Sequence, residues 1–232
     1  MIVYNGVSID SVAPVMIEDI RVAPIRYNPV SRPRAIRFGS EWVRMGGGDR
    51  TITISLAVLV KSINERHEAF MALSKWAKTD NEYVLELPQD PLRFLQCVCT
   101  NKPEPSTRAW WENKLKLTFT CISNPYWTSK QEKSVACGTA FFVLGDAPPL
   151  MRIERTLSSS ASNQTYSNGT QSMTFSTIPA GDMVIDVTAQ TAAVGNTSIM
   201  QYYAPSGSFI VPQTGSQTIT GTGTVKYRER WE

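Results

Sequence analysis

The chain has 232 residues, enough for one large domain or two small ones, and its 23 Lys+Arg against 20 Asp+Glu leave a formal net charge of +3. That near-balance argues against a dedicated nucleic-acid reader, which usually carries a stronger basic excess with interleaved aromatics, and no apolar run approaches the roughly eighteen residues of a membrane span. The N-terminus, Met1–Gly6, lacks the charged and apolar regions of a secretory signal, and Cys97, Cys99, Cys121 and Cys137 are wrongly spaced for a zinc ribbon, so free buried thiols are expected.

Residues 1–30 read as a short strand (Ile2–Tyr4), a turn at Asn5-Gly6, and extended segments around Val15–Ile20 and Val22–Tyr27. Pro14, Pro24, Pro29 and Pro33 interrupt them, and proline removes a ladder donor, so these pieces are expected to be edge strands or connectors. Arg34–Met45 is extended in character, Gly46-Gly47-Gly48-Asp49 is a reversal, and Arg50–Val60 places Ile52, Ile54, Leu56, Val58 and Val60 on one face at a period of two. The spacing predicts a hairpin over 34–60 with strands of about eleven residues, roughly 35 Å and about twice the common length. It reads as an arm that overhangs its own domain; the other reading is a long hairpin folded back on its own sheet. Seven arginines between Arg21 and Arg50 face only Glu41 and Asp49. They are expected to pair with acids of the same or a neighbouring chain.

A helix over 62–78 follows. Ser62 and Glu65 form a capping box, Ile63, Phe70, Leu73, Trp76 and Ala77 recur at helical spacing, and Lys75 and Lys78 meet the dipole at its end. Strands are then expected at Glu82–Leu87 and Arg93–Thr100, joined by Pro88-Gln89-Asp90-Pro91, and at Asn113–Ser123. Lys102–Trp111 reads as a loop ending in Trp110 and Trp111, an interface anchor or a core plug. Asn124-Pro125-Tyr126-Trp127 stops the last of these strands and closes a first domain over 1–130.

Beyond a polar bridge at Gln131–Ser134, composition shifts, and from Thr156 onward the chain is rich in Ser, Thr, Gly, Asn and Gln. Apolar runs recur at Ala140–Leu144, Leu150–Ile153, Met173–Phe175, Met183–Val187, Ile199–Tyr203, Phe209–Val211, Gln217–Ile219 and Thr224–Arg228, with turn signals between them. Many short strands at this spacing predict a sandwich or jelly roll over 135–232. The chain is thus expected to be mainly β, with an N-terminal sandwich, one flanking helix and a long hairpin arm, followed by a second sandwich.

Catalytic motifs are not legible. His67 stands alone among histidines, no Ser or Cys occupies a nucleophile elbow, and Gly46–Gly48 lacks the Lys-Ser/Thr of a phosphate loop. Asp146, Asp182 and Asp186 read as turn braces rather than a glycosidase pair. No enzyme, cofactor or metal site is expected.

The ordered set of motifs resembles the distal tail proteins of long-tailed, siphovirus-type bacteriophages. In the first domain these are Tyr4-Asn5-Gly6-Val7, the arginine run to Arg34–Phe38, the Gly46–Asp49 turn before Arg50–Ile54, the helix with Trp76, and Asn124–Trp127. In the second they are Gly145–Pro149, Ala180–Asp186, Pro205-Ser206-Gly207 and Tyr227–Trp231. The resemblance implies a virion structural protein at the tail tip, assembled in the bacterial cytoplasm. Six copies would close a ring between the tail tube protein and the tail-tip protein, with a galectin-like second sandwich outside the ring that in many phages carries receptor-binding proteins. DNA would pass through the lumen transiently and without sequence preference. On this reading the arm forms a belt between neighbours, and Arg34, Arg37, Arg44, Gly46, Gly47, Gly48 and Arg50 form the subunit interface. The rival reading is a two-domain carbohydrate-binding, host-adhesion module, with Tyr166, Tyr202 and Tyr203 as the sugar-stacking candidates.

Overall fold

Alternation of apolar and hydroxyl-bearing side chains fixes the strand at the centre of the first half of the chain. The computed structural model describes residues 1–26, 29–33, 40–44, 48–101, 113–204 and 207–232. In order, the elements are β1 (Val3–Tyr4), β2 (Val7–Ser8), β3 (Val15–Val22), β4 (Pro29–Pro33), β5 (Ser40–Arg44), β6 (Arg50–Val58), α1 (Ile63–Ala77), β7 (Tyr83–Glu86), β8 (Arg93–Cys99) and β9 (Lys114–Cys121). β10 (Trp127–Ser129) follows where the chain divides into two compact units, Met1–Trp127 and Thr128–Trp231.

In β6, Ile52, Ile54, Leu56 and Val58 are buried, while Thr51, Thr53, Ser55 and Ala57 face the other way. The strand is bonded on both edges, to β3 from Val22↔Ile52 to Val15↔Val58 and to β9 from Arg50↔Cys121 to Ala57↔Lys114. The sheet continues through β8 and β7 to β1 and β2, all antiparallel. β8 meets β9 only at Val98 and Cys99 and gives Leu95 to Cys97 to β7, so the sheet folds over between them. The fold encloses Leu85, Leu95, Leu117 and Phe119 with Phe70, Leu73 and Ala77 of α1.

The hairpin expected over 34–60 is not formed in that register. Both edges of β6 are occupied by β3 and β9, so no edge remains for the segment before it. Ser40–Arg44 instead pairs with Pro29–Pro33, from Pro29↔Arg44 to Pro33↔Ser40, as a separate two-stranded ribbon. Of the expected turn, Gly46 and Gly47 lie outside the described residues, and Asp49 makes an isolated bridge with Arg26. Of Val22–Tyr27, β3 takes Val22, the Ala23 N–H donates to the Thr51 carbonyl at 2.9 Å, Arg26 makes that bridge, and Tyr27 lies outside the described residues.

Helix α1 starts where Ser62 accepts the Glu65 N–H at 3.2 Å, while the Glu65 carboxylate accepts the Lys61 N–H at 2.9 Å, one residue earlier than a reciprocal capping box places it. Trp76 donates its indole N–H to the Val7 carbonyl at 3.1 Å and packs edge-on against Tyr4, ring centroids 5.8 Å apart. Tyr4 also meets Phe119 at 5.0 Å and donates to the Cys97 carbonyl at 3.1 Å. Burial pushes its pKa up to about 12, against a hydrogen bond with the Thr79 hydroxyl that works the other way.

The second unit carries β11 (Lys133–Ala136), β12 (Ala140–Val143), β13 (Ala147–Leu157), β14 (Ala161–Ser167), β15 (Ser172–Ile178), β16 (Gly181–Asp186), β17 (Thr191–Val194), β18 (Thr197–Ser198), β19 (Gly215–Thr218) and β20 (Thr224–Trp231). One sheet runs β11-β20-β13-β16-β17-β18. The ribbons β12–β19 and β14–β15 are joined by the Ser167↔Thr220 bridge and supply the facing layer. Met151, Ile153, Ile185, Val225 and Tyr227 from the sheet meet Phe141, Tyr166, Met173, Phe175 and Ile219 from the ribbons in one core. Two expected strands are absent: Met200–Tyr202 is a 3-10 turn and Phe209–Val211 is irregular. Two polar strands, β11 and β14, stand where no apolar run marked them. Gly145 approaches the Arg230 backbone so closely that a Cβ there would collide with it.

Truncation of buried Ile54 to Ala is expected to cost about 2–5 kcal/mol, and Thr53→Ala, on the other face of the same strand, less than about 1 kcal/mol. Denaturant midpoints of the two variants check this order.

Candidate interaction surfaces

The residues expected at a subunit interface fall into three groups. Arg34, Arg37, Gly46 and Gly47 lie outside the described residues, and Arg44 is fixed by its backbone as the partner of Pro29 in the ribbon. Gly48 is buried. Arg50, at the start of β6, is only 3 % exposed, so its guanidinium is enclosed by its own chain rather than presented to another. Among the described residues the β4–β5 ribbon pairs with no third strand. Two open edges are what strand-pairing surfaces offer and what isolated monomers usually protect. β3 is also an edge strand, bonded to β6 alone, with a bulge between Ile17 and Asp19.

The face of the first sheet turned away from its core is hydroxyl-rich at its centre and flanked by Met16, Asp19 and Arg21 of β3 and by Lys114 and Lys116 of β9. Thr51, Thr53 and Ser55 of β6 lie beside Thr118, Thr120 and Lys116 of β9. Thr100 extends the row, its hydroxyl bonded to Thr120 Oγ1 at 3.2 Å. Such a wall offers short hydroxyls at its centre and charged side chains at its sides, Arg21 paired with Asp19 and Lys114 with Glu18.

On the second unit, the outward side chains of β13 and β20 form a ladder of charge. Arg152 sits across from Asp186 on one side and Lys226 on the other. Glu132 engages Arg152 through two N–H groups, each at 2.9 Å, and Arg228 Nε lies 3.6 Å from it. Glu154 bridges Arg152 Nε at 2.6 Å and Lys226 Nζ at 2.7 Å. These bonds, Lys226 first and Arg152 second, lower the Glu154 pKa; the bond from Glu154 in turn raises that of Arg152. The ladder lines an open cleft of about 320 Å³ with Leu150, Asp186, Thr188 and Arg228. Cations and carboxylates are interleaved, so the cleft is polar without a strong sign. Sequence reasoning missed the ladder, although its signal was present: Arg152, Glu154, Lys226 and Arg228 alternate with core Met151, Ile153, Val225 and Tyr227.

The sugar-stacking candidates differ in access. Tyr166 is fully buried and donates to the Thr222 carbonyl at 3.1 Å, so no ligand reaches its ring. Tyr203 packs against Phe209 and Phe175, centroids 5.0 and 5.7 Å away. Tyr202 lies half-buried in the 3-10 turn. The aspartates hold local structure: Asp182 accepts the Thr156 hydroxyl at 2.7 Å and Asp186 accepts the Ala189 N–H at 2.8 Å. His67 is exposed on α1, and among the described residues no cluster of His, Cys, Asp or Glu is arranged for a metal ion. The cysteines are free; Cys97 and Cys121 are buried, and burial raises the Cys97 pKa. Trp110 and Trp111 lie outside the described residues.

Among solved structures, the chain is similar over its whole length to the Dit protein of phage SPP1, described as a paradigm of the hub adsorption apparatus in phages infecting Gram-positive bacteria. The TM-score is 0.77 at 14% sequence identity, covering 100% of this chain and 98% of that one. Chains of the phage P2 baseplate in its activated conformation, with Ca and with Sr, align over 94% of this chain and 91% of theirs. Their identities are 7% and 9%, and the TM-score is 0.47 in both cases. No family model matches the sequence. No curated protein is similar to it. At 14% identity the likeness to the SPP1 protein is one of fold.

The Glu154 bonds carry a pH signature. A carboxylate whose folded pKa lies below its ordinary value of 4.5 contributes its stability in full above that value and loses it as pH falls through the folded one. Glu154→Gln is therefore expected to lower the melting temperature near about pH 7 and to narrow the gap to wild type near about pH 3. Thermal melts of both proteins across this range check it.

Proposed function

We propose that the chain is a distal tail hub protein of a long-tailed phage: a structural virion component rather than an enzyme, with six copies closing a ring at the tail tip. The observation that carries this reading is the agreement of fold with the SPP1 hub protein across both units, at 100% and 98% coverage and a TM-score of 0.77. A ring of one repeated chain needs two different patches on each copy, a heterologous interface that closes. The first unit offers such a pair in the open edges of the ribbon and the open edge of β3. In this reading residues 1–130 form the ring, and the ribbon, with Arg34, Arg37 and Arg44, reaches a neighbour. Arg50 holds the base of β6 from within its own chain.

Such a ring would join the tail tube protein to the tail-tip protein. The hydroxyl-rich wall of β6 and β9 suits a lumen through which DNA slides, since it provides no aromatic stacking platform and its flanking cations Arg21 and Lys114 are paired with Asp19 and Glu18. Residues 135–232 would stand outside as a galectin-like platform for receptor-binding or other baseplate proteins, with the charged face of β13 and β20 available to them. Assembly would take place in the bacterial cytoplasm and the protein would act at the virion tail tip. No cofactor is required for any of this.

Light scattering on a sizing column with negative-stain images tests the reading. The expected result is a ring whose mass is a multiple of six copies. Replacement of residues 29–44 by a short Gly-Ser linker is expected to abolish sixfold particles while leaving the melting transition of the rest in place. Sixfold rings that survive the replacement would remove the ribbon from the interface.

A further inference from the structure

The face of α1 turned from the core has a charge order that fits a second copy of itself. Arg66, Ala69, Phe70, Leu73 and Ala77 are buried. The opposite stripe is Asn64, Glu68, Met71 and Lys75, at helical spacing and all exposed, with Glu65 and Lys78 beyond Glu68 and Lys75 and Ala72 beside Met71. Glu68 and Lys75 are equidistant from the Met71–Ala72 midpoint, as are Glu65 and Lys78. Acid therefore lies on one side of an apolar centre and base on the other. Among the described residues, neither Glu68 nor Lys75 has an ion-pair partner in its own chain.

The centre of the stripe is itself unusual. Met71 is 60% exposed, beside a shallow cleft of about 480 Å³ lined by Ala72, Ser74, Lys75 and Lys78. On the other flank, Ala69 and Ala72 border a cleft of about 340 Å³ with Val12, Leu59 and Val60, where Leu59 is 57% exposed. Small residues beside an exposed, flexible methionine are the shape of a knob and a hole.

We propose that α1 is a self-docking surface: two copies of the chain pack their α1 helices antiparallel, Glu68 of each against Lys75 of the other, with Met71 of each seated beside Ala72 of its partner. Antiparallel packing at about 8–10 Å between axes brings the opposite charges into register and opposes the two helix dipoles. The contact is isologous, with the same patch on both sides, so it pairs copies and goes no further. It is independent of the ring reading, which needs a heterologous interface through 29–44. The helix dipole alone explains Glu65 in the first turn and Lys75 in the last, but it falls off before Glu68.

The test is sedimentation equilibrium of the full-length protein as Glu68→Lys, Lys75→Glu and the double exchange. Each single variant places like charges together twice per pair and is expected to weaken association by about tenfold or more, with unchanged melting for Glu68→Lys and only the small loss of a helix-dipole contact for Lys75→Glu. The double exchange is expected to restore it. Loss of this contact is expected to halve the particle mass, whereas loss of the 29–44 ribbon removes the sixfold step and leaves pairs, so the two interfaces fail separately. An association constant that none of the three variants moves, or a double variant no better than the singles, overturns the proposal. So does a Glu68→Lys variant that keeps its mass but no longer enters tails, which would give the surface to a different tail protein.

Discussion

A β-strand has two edges, and both edges of Arg50–Val58 are filled from within the first unit. Much of the rest follows from that constraint. β3 arrives from upstream and β9 from downstream, so the segment between β3 and β6 has no place beside β6. It pairs with itself as the ribbon of β4 and β5. The same double bonding commits one face of β6 to the core with Ile52, Ile54 and Leu56, and the other to a wall of hydroxyls. Helix α1 then closes the core through Phe70, Leu73 and Ala77, with Trp76 tied to the Val7 carbonyl. A separate ribbon, a hydroxyl-rich wall and a helix with one free face are thus three results of a single pairing choice.

The second unit reaches its two faces by the same alternation, with a different outcome. The inward residues of β13 and β20 build a core with the ribbons, and the outward residues are Arg, Glu and Lys rather than Thr and Ser. Each carboxylate there serves more than one cation, so the side chains hold one another in place before any ligand arrives. Preorganised polar surfaces lose less side-chain entropy on docking than mobile ones. In the proposed hub this contrast would divide the labour, the first unit lining a conduit and the second making contacts.

What the sequence revealed and what it concealed separate along the line between local and distant information. Period-two alternation in 50–58 and 114–121, and the Ser62/Glu65 cap before an amphipathic run, are local signals and identified β6, β9 and α1. Which strand lies beside β6 is not local. A glycine turn after an extended segment looks the same whether or not the flanking strands pair, and the competing partner, β3, lies some thirty residues upstream. β14 escaped notice because only Tyr166 among its seven residues is buried, leaving a polar string that reads as a loop. Of the interface arginines, Arg50 was legible as a cation at a strand start, but its enclosure depends on Cys121 and its neighbours, seventy residues away.

Glu229 has a consequence that reaches beyond its own unit. Its carboxylate, almost wholly buried, accepts the Leu144 N–H at 2.9 Å and the Lys133 ammonium at 2.7 Å, at the end of the short β12 strand. β12 carries exposed Phe142 and no charge of its own, and exposed Leu144 follows it, a sequence inviting to any passing β-segment. With the Leu144 N–H already donated to Glu229, the carbonyl of an incoming chain finds no donor there. That closes one route by which copies of the chain would add strand to strand into fibrils.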